Sequence, residues 1–184
     1  MAGEIQLNSV SFASESGGTI TVNNGTIGTS VVFPAGHIIQ KKVTRVASVD
    51  LGGSSYSSYT GFSNLDISLS RTANTHAVYE IFGSAVSTES SGRFINIAAK
   101  RSDGSTYSGT NEVSLFDDSD GGLAEYVSFA GNMRVPLVLV AIDTANVSGD
   151  KTYRFFAKNT GASYFAISGG GDIYVSITEF NPTT

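Results

Sequence analysis

The chain has 184 residues, of which 40% are hydrophobic and 15% are charged, so it is long enough for one domain with a hydrophobic core. Its net charge of −5 argues against a nucleic-acid partner, which would need a basic face, and the absence of cysteine excludes disulfides and cysteine-ligated zinc. The aromatic residues are Tyr and Phe without Trp, and 21 glycines serve turns, a composition typical of β-sandwiches and barrels.

The N-terminal segment differs in character from the rest of the chain. Residues 4–8 and 19–22 are strand-like, but two short strands are too few for an independent core. A Pro-Ala-Gly turn at residues 34–36 then leads into the first long strand. We therefore predict a short N-terminal β arm over residues 1–30 and a head domain over residues 31–184.

This arm is more apolar than a solvated tail requires. That excess favours docking on a partner by strand addition, while the Gly-Ser-Asn content leaves a disordered tail as the alternative. The candidate docking residues are Ile5, Leu7, Val10 and Phe12.

Tyrosines interleaved with serines form a candidate ligand surface after the first long strand. Tyr gives rigid amphipathic area and can stack on sugars, while Ser gives hydrogen bonds. The candidate residues are Tyr56, Tyr59 and Phe62. We favour the simpler interpretation, a long loop at the end of a sandwich.

Strand patterns dominate the remaining chain. Residues 65–70 and 172–180 alternate apolar and polar side chains, as half-buried strands do, and Ile173, Val175, Ile177 and Phe180 are predicted to share an inner face. Gly-rich and Asp-Gly turns separate these runs, which indicates an antiparallel sandwich or jelly roll. The other predicted strands are residues 37–46, 77–82, 93–100, 112–116, 126–129, 151–158 and 164–167.

Three carboxylates within four positions form the one cluster with metal-binding chemistry. Asp117, Asp118 and Asp120 precede two glycines and could hold Ca²⁺ through oxygen ligands, although the spacing is not that of an EF-hand. We favour a solvated hairpin tip without a cofactor and keep the Ca²⁺ site as the alternative.

Residues 137–142 are apolar at every position. A strand covered on both faces has this pattern, so we expect one face on the core and the other on a neighbouring subunit. The stretch is too short for a membrane span, and the first residues lack the pattern of a signal peptide. We therefore expect a soluble protein made in a cytoplasm, with no membrane insertion.

The sequence has few groups suited to catalysis. His37 and His76 are the only histidines and have no metal-ligand spacing. Nucleophile-elbow, phosphate-loop and dinucleotide motifs are missing as well. We predict a non-enzymatic protein.

Four stretches resemble small β-rich virion proteins of tailed, marine-type bacteriophages. They are the opening MAGEIQLN, the run VVFPAGHIIQ at residues 31–40, residues 139–155, and the closing IYVSITEF at residues 173–180. The resemblance implies a jelly roll like that of tumour-necrosis-factor-type trimers, assembled as a homotrimer. It also implies a location in the virion, after synthesis in the cytoplasm of the bacterial host.

Such a protein would be a tail-fibre head, which adsorbs to the host through a surface glycan, or a capsid decoration protein. Its partners would be other virion proteins of the tail or the capsid. Fibres usually carry a long shaft that this sequence lacks, which keeps the decoration role open. The alternative from another class is a free carbohydrate-binding, lectin-like module.

Overall fold

The structure is a computed structural model. It describes residues 4–7, 10–16, 19–22, 36–47, 49–50, 58–87, 93–109, 111–116, 125–129, 133–159, 165–167 and 172–182. The chain divides into two compact units, Met1–Pro34 and Ala35–Thr184.

The first unit is a three-stranded antiparallel sheet. Its strands are β1 (Glu4–Leu7), β2 (Val10–Ser16) and β3 (Thr19–Val22), in the order β1-β2-β3. Strand β2 was not predicted, because its serines dilute the apolar pattern.

The second unit contains two antiparallel sheets and one short 3₁₀ helix, Ser63–Leu65, in the described part of the chain. Its strands are β4 (Ile38–Val46), β5 (Val49–Asp50), β6 (Thr60–Gly61), β7 (Ile67–Arg71), β8 (His76–Ser87), β9 (Arg93–Asp103), β10 (Val113–Phe116), β11 (Glu125–Phe129), β12 (Met133–Asp143), β13 (Gly149–Asn159), β14 (Phe165–Ile167) and β15 (Ile173–Phe180). The all-β prediction is therefore confirmed.

Sheet I consists of β4, β5, β8, β12, β14 and β15. Strand β8 pairs with β12 along one side and with β15 and then β14 along the other. Strands β4 and β5 lie beyond β15 and β14, respectively. The long strand β4 and the short strand β5 thus share one position in the sheet, and β14 and β15 share another.

Sheet II is built the same way from β6, β7, β9, β10, β11 and β13. Its central strands β9 and β13 pair with each other; β10 and β11 flank β9, and β7 and β6 flank β13. When strands that share a position are taken together, the described strands fill eight positions in chain order. The first position pairs with the eighth, the second with the seventh, the third with the sixth and the fourth with the fifth.

One hydrophobic core receives the inner faces of both sheets, which makes the unit a sandwich. Alternation along β12 buries Leu137, Leu139 and Ala141, and the Tyr79 and Tyr153 rings stack with centroids 5.9 Å apart. The other fully buried large apolar side chains are Leu65, Ile67, Ile81, Phe155, Ile173 and Ile177.

Strand β15 agrees with its predicted pattern except at its end. Ile173, Val175 and Ile177 are buried as predicted. Phe180 was predicted on the same face, but Glu179 occupies the next inner position, because the alternation continues without a phase shift. Phe180 instead lies opposite His76, with ring centroids 5.8 Å apart.

Gly61 in β6 lies where a side chain would collide with sheet II. A Cβ atom there would be 2.7 Å from Arg154 Cδ and 2.7 Å from Phe156 Cε1. We expect Gly61→Ala to lower the free energy of unfolding by about 1–3 kcal/mol, measured by urea denaturation, because the site is overpacked. Gly83→Ala is the control, since its Cβ would meet Ile173 Cγ1 at an ordinary 3.4 Å. Equal stability of the two variants would contradict the predicted collision.

Candidate functional site

The outer face of sheet I is apolar across its neighbouring strands. Residues directly opposite each other in adjacent strands point to the same side of a sheet, so the strand pairing defines rows across this face. The rows from β15 through β8 to β12 are Tyr174–Phe82–Val138, Ser176–Glu80–Val140 and Thr178–Val78–Ile142. We call this surface the sheet I outer face.

Its large apolar side chains are open to solvent in the single chain, each between 43% and 56% exposed. They are Val138, Val140 and Ile142 on β12, Phe82 on β8, Tyr174 on β15, and Ile38 and Val43 on β4. A contiguous apolar surface of this kind marks an interaction site in a soluble protein, because water does not solvate it favourably. The doubly apolar pattern of residues 137–142 therefore corresponds to a strand with one face on the core and one on the surface.

Glu80 and Ser176 form the polar centre of this face. The Ser176 hydroxyl donates a hydrogen bond to Glu80 Oε2 at 2.7 Å, and Ser176 is itself buried. At the β4 edge, Lys41 is exposed and Arg45 forms an ion pair with Asp172. The hydrogen bond and the negative charge of Asp172 raise the pKa of Arg45.

A buried ionic cluster lies where β7, β12, β13 and β15 approach one another. Arg71 Nη1 donates to Asp143 Oδ2 at 2.8 Å and to Tyr153 Oη at 2.9 Å, and Arg71 Nε lies 3.6 Å from Glu179 Oε1. All of these side chains are buried. Burial, and then the negative charge of Asp143, raise the pKa of Tyr153, which therefore stays a neutral donor to Asp143.

Glu179 accepts hydrogen bonds from the segment between β7 and β8 and from β4. Its carboxylate accepts hydrogen bonds from the Thr72 backbone N–H at 2.6 Å, from Thr75 Oγ1 at 2.5 Å and from Gln40 Nε2 at 2.5 Å. The cluster thereby ties both sheets together, and its role is structural. The sequence analysis missed it because Arg71 stands in a stretch, RTAN, that has the composition of a turn.

Phe62, a predicted ligand-surface residue, is a core residue instead. It is 6% exposed, and its ring packs against Phe155 with centroids 5.7 Å apart, so no ligand can stack on it. Tyr59 is half-buried, and Lys158 Nζ lies 4.6 Å from its ring centroid. Tyr56 is outside the described residues. A sugar-stacking platform on Tyr56 and Tyr59 stays a prediction.

Only some of the remaining candidate residues lie in the described part of the chain. Asp117, Asp118 and Asp120 lie outside the described residues, and so their Ca²⁺ site stays a prediction. Elsewhere, the described residues contain no group of three or more His, Asp or Glu side chains that could hold a metal ion. The candidate docking residues fall on two paired strands, Ile5 and Leu7 on β1 and Val10 and Phe12 on β2.

Residues 77–82 have an apolar pattern on both faces that was not recognised from the sequence. Tyr79 and Ile81 are buried while Val78 and Phe82 point to the other side, so both faces of β8 are apolar there, as in residues 137–142. Two neighbouring strands with this pattern give sheet I an apolar outer face.

No helix in the described part of the chain has the length and apolar composition needed to cross a membrane.

No protein-family model matches the chain, and no curated protein matches it either. The function of the protein therefore has to be inferred from its fold and its surfaces.

Proposed function

We propose that the protein is a homotrimeric jelly-roll structural protein of a tailed-bacteriophage virion, either the head of an adsorption fibre or a capsid decoration protein. The observation that carries this proposal is the sheet I outer face, where large apolar side chains are 43–56% exposed on neighbouring strands. A protein of this kind functions by assembly and needs no catalytic site.

The pairing of strand positions supports the jelly-roll part of the proposal. A jelly roll is a long antiparallel hairpin rolled into two sheets, in which the first strand position pairs with the last and the pairing nests inward. The order β4, β15, β8, β12 in one sheet and β10, β9, β13, β7 in the other follows this scheme.

The composition of the sheet I outer face supports self-association. Around the polar pair Glu80 and Ser176, the face carries Val, Ile, Phe and Tyr side chains, which are common in the cores of protein–protein interfaces. The net charge of −5 argues against a nucleic-acid partner. Homo-oligomers close by rotational symmetry, and a threefold ring lets every copy cover the outer face of its neighbour.

The N-terminal unit supports an attachment role. Strands β1 and β3 are the edges of its sheet, and each pairs only with β2 among the described residues. Edge strands offer backbone donors and acceptors to another chain, so strand addition is the expected mode of docking on a tail or capsid protein.

A surface pocket favours a second candidate function, a carbohydrate-binding module. The pocket has a volume of about 230 Å³, and its lining residues are Asn74, Thr75, His76, Thr144, Asn146 and Pro182. Asn146 Nδ2 donates to Asn74 Oδ1 at 2.9 Å and Asn146 Oδ1 accepts from the Asn74 backbone N–H at 2.8 Å, so the two residues place amide groups at the pocket, where the hydroxyls of a neutral sugar could bind. Binding of the isolated protein to a glycan array, with loss of binding in Asn146→Ala, would favour this function.

The primary proposal is tested by the mass of the protein in solution and by its location on particles. We expect sedimentation equilibrium at micromolar concentration to give the mass of a trimer. Electron microscopy of particles carrying gold-labelled protein is expected to show the label on the tail tip or on the capsid surface. A monomer in the first experiment, or unlabelled particles in the second, would refute the proposal.

A further inference from the structure

We infer that Glu80 forms an ion pair with Lys41 of a neighbouring copy when the sheet I outer face is covered. The inference rests on the proposed homotrimer and names the contact that orients one copy on the next. It follows from the position of one carboxylate in an apolar surface.

Glu80 is surrounded by groups that do not compensate its charge. In its row it lies between Val140 on β12 and Ser176 on β15, and Val78 and Phe82 flank it on the same side of β8. Its hydrogen bond is to the neutral Ser176 hydroxyl, and no ion pair joins Glu80 to another of the described residues. Burying this carboxylate without a cation would cost more free energy than burial of the surrounding apolar side chains contributes.

Alternation along β4 identifies the cation. Lys42 points to the inner side, where its Nζ donates to the Ser68 carbonyl of β7 at 3.0 Å. Arg45 points outward but is engaged by Asp172. Lys41 lies opposite Thr178 on the outer side and is exposed, so it is the cation of β4 that remains for a partner.

No ion pair joins the described residues Glu80 and Lys41 within one chain. Strand β15 separates β4 from β8, so their backbones are roughly 10 Å apart at a spacing of about 4.8 Å per strand. Lys41 and Glu80 also stand in different rows, because Lys41 is level with Thr178 and Glu80 with Ser176. A second copy that lays its β4 edge over this β8 brings the opposite charges together, in the head-to-tail manner of a closed ring.

Charge reversal tests the pairing. We expect Glu80→Lys alone and Lys41→Glu alone each to weaken association at least 30-fold, roughly the effect of breaking a desolvated charge pair. The double variant E80K/K41E restores association to within about tenfold of the original protein, because the pair is rebuilt with its signs exchanged. Sedimentation velocity over a concentration series measures the dissociation constants, and circular dichroism melts show that each variant is folded.

A matched control separates a specific pair from a change in net charge. The double variant E80K/K42E has the same composition of charges, but residue 42 faces the inner side, so it should stay dissociated. Equal recovery by the two double variants, or no recovery by E80K/K41E, would overturn the pairing while the trimer stands. A trimer unaffected by either single reversal would also overturn it. If the unaltered protein is a monomer, the proposed function itself fails, and the pairing fails with it.

Discussion

Replacing Arg71 by methionine is expected to lower the free energy of unfolding by about 3–5 kcal/mol, because it leaves the buried Glu179 carboxylate without its cation and takes one of two arginines from buried Asp143. Tyr153 would also lose the hydrogen bond that it accepts from Arg71. Urea denaturation at one fixed protein concentration measures the loss, since association also contributes to apparent stability.

Lys100→Met is the matched control for this experiment. It also removes a cation from an ion pair, but Lys100 and Glu112 are partly exposed on the outer side of sheet II. Water can solvate the remaining carboxylate, so the expected loss is about 1 kcal/mol or less. A loss in Arg71→Met as small as that in Lys100→Met would mean that the buried ionic cluster does not stabilise the fold.

Val138→Glu is expected to convert the proposed trimer into a folded monomer. In the single chain Val138 is 47% exposed, so the substitution leaves the core of the sandwich unchanged, but in the proposed trimer it would bury a charge beside the apolar side chains of the sheet I outer face. Size-exclusion chromatography with light scattering gives the mass, and the melting curve of the monomer tests whether the sandwich is intact.

Val113→Glu controls for the introduced charge alone. Val113 is 40% exposed and lies on β10 in sheet II, away from the sheet I outer face. This variant should remain assembled. Dissociation of both variants would indicate a general effect of negative charge, and assembly of both would show that the outer face is not the interface.

The local pattern of apolar residues was sufficient for the parts of the fold that depend on it. The alternation in residues 173–177 predicted which side chains of β15 are buried, because successive side chains of a strand point to opposite faces whatever the partner strands are. For the same reason, the uninterrupted apolar run at residues 137–142 predicted a strand with two apolar faces, and the neighbouring subunit expected on the second face stays a prediction.

The pairing of distant strands decided the remaining features of the core and the surface. It brings together residues whose neighbours in the sequence do not indicate burial or contact. Phe62 follows a stretch rich in serine and tyrosine, yet it is a core residue, and its backbone N–H donates a hydrogen bond to the Phe155 carbonyl of β13. Arg71 stands in a stretch with turn composition. It can be buried only because Asp143 on β12 and Glu179 on β15 lie beside it in the folded chain. Glu80 is one acidic residue in an alternating strand, and its importance follows from the register that sets Val140 and Ser176 beside it. The sequence by itself determined most of the strands and the apolar faces of the long ones, because these depend on the nearest neighbours in the chain. Which strands meet, and therefore which charges are buried, was decided only in the tertiary structure, since those contacts join residues far apart in the sequence.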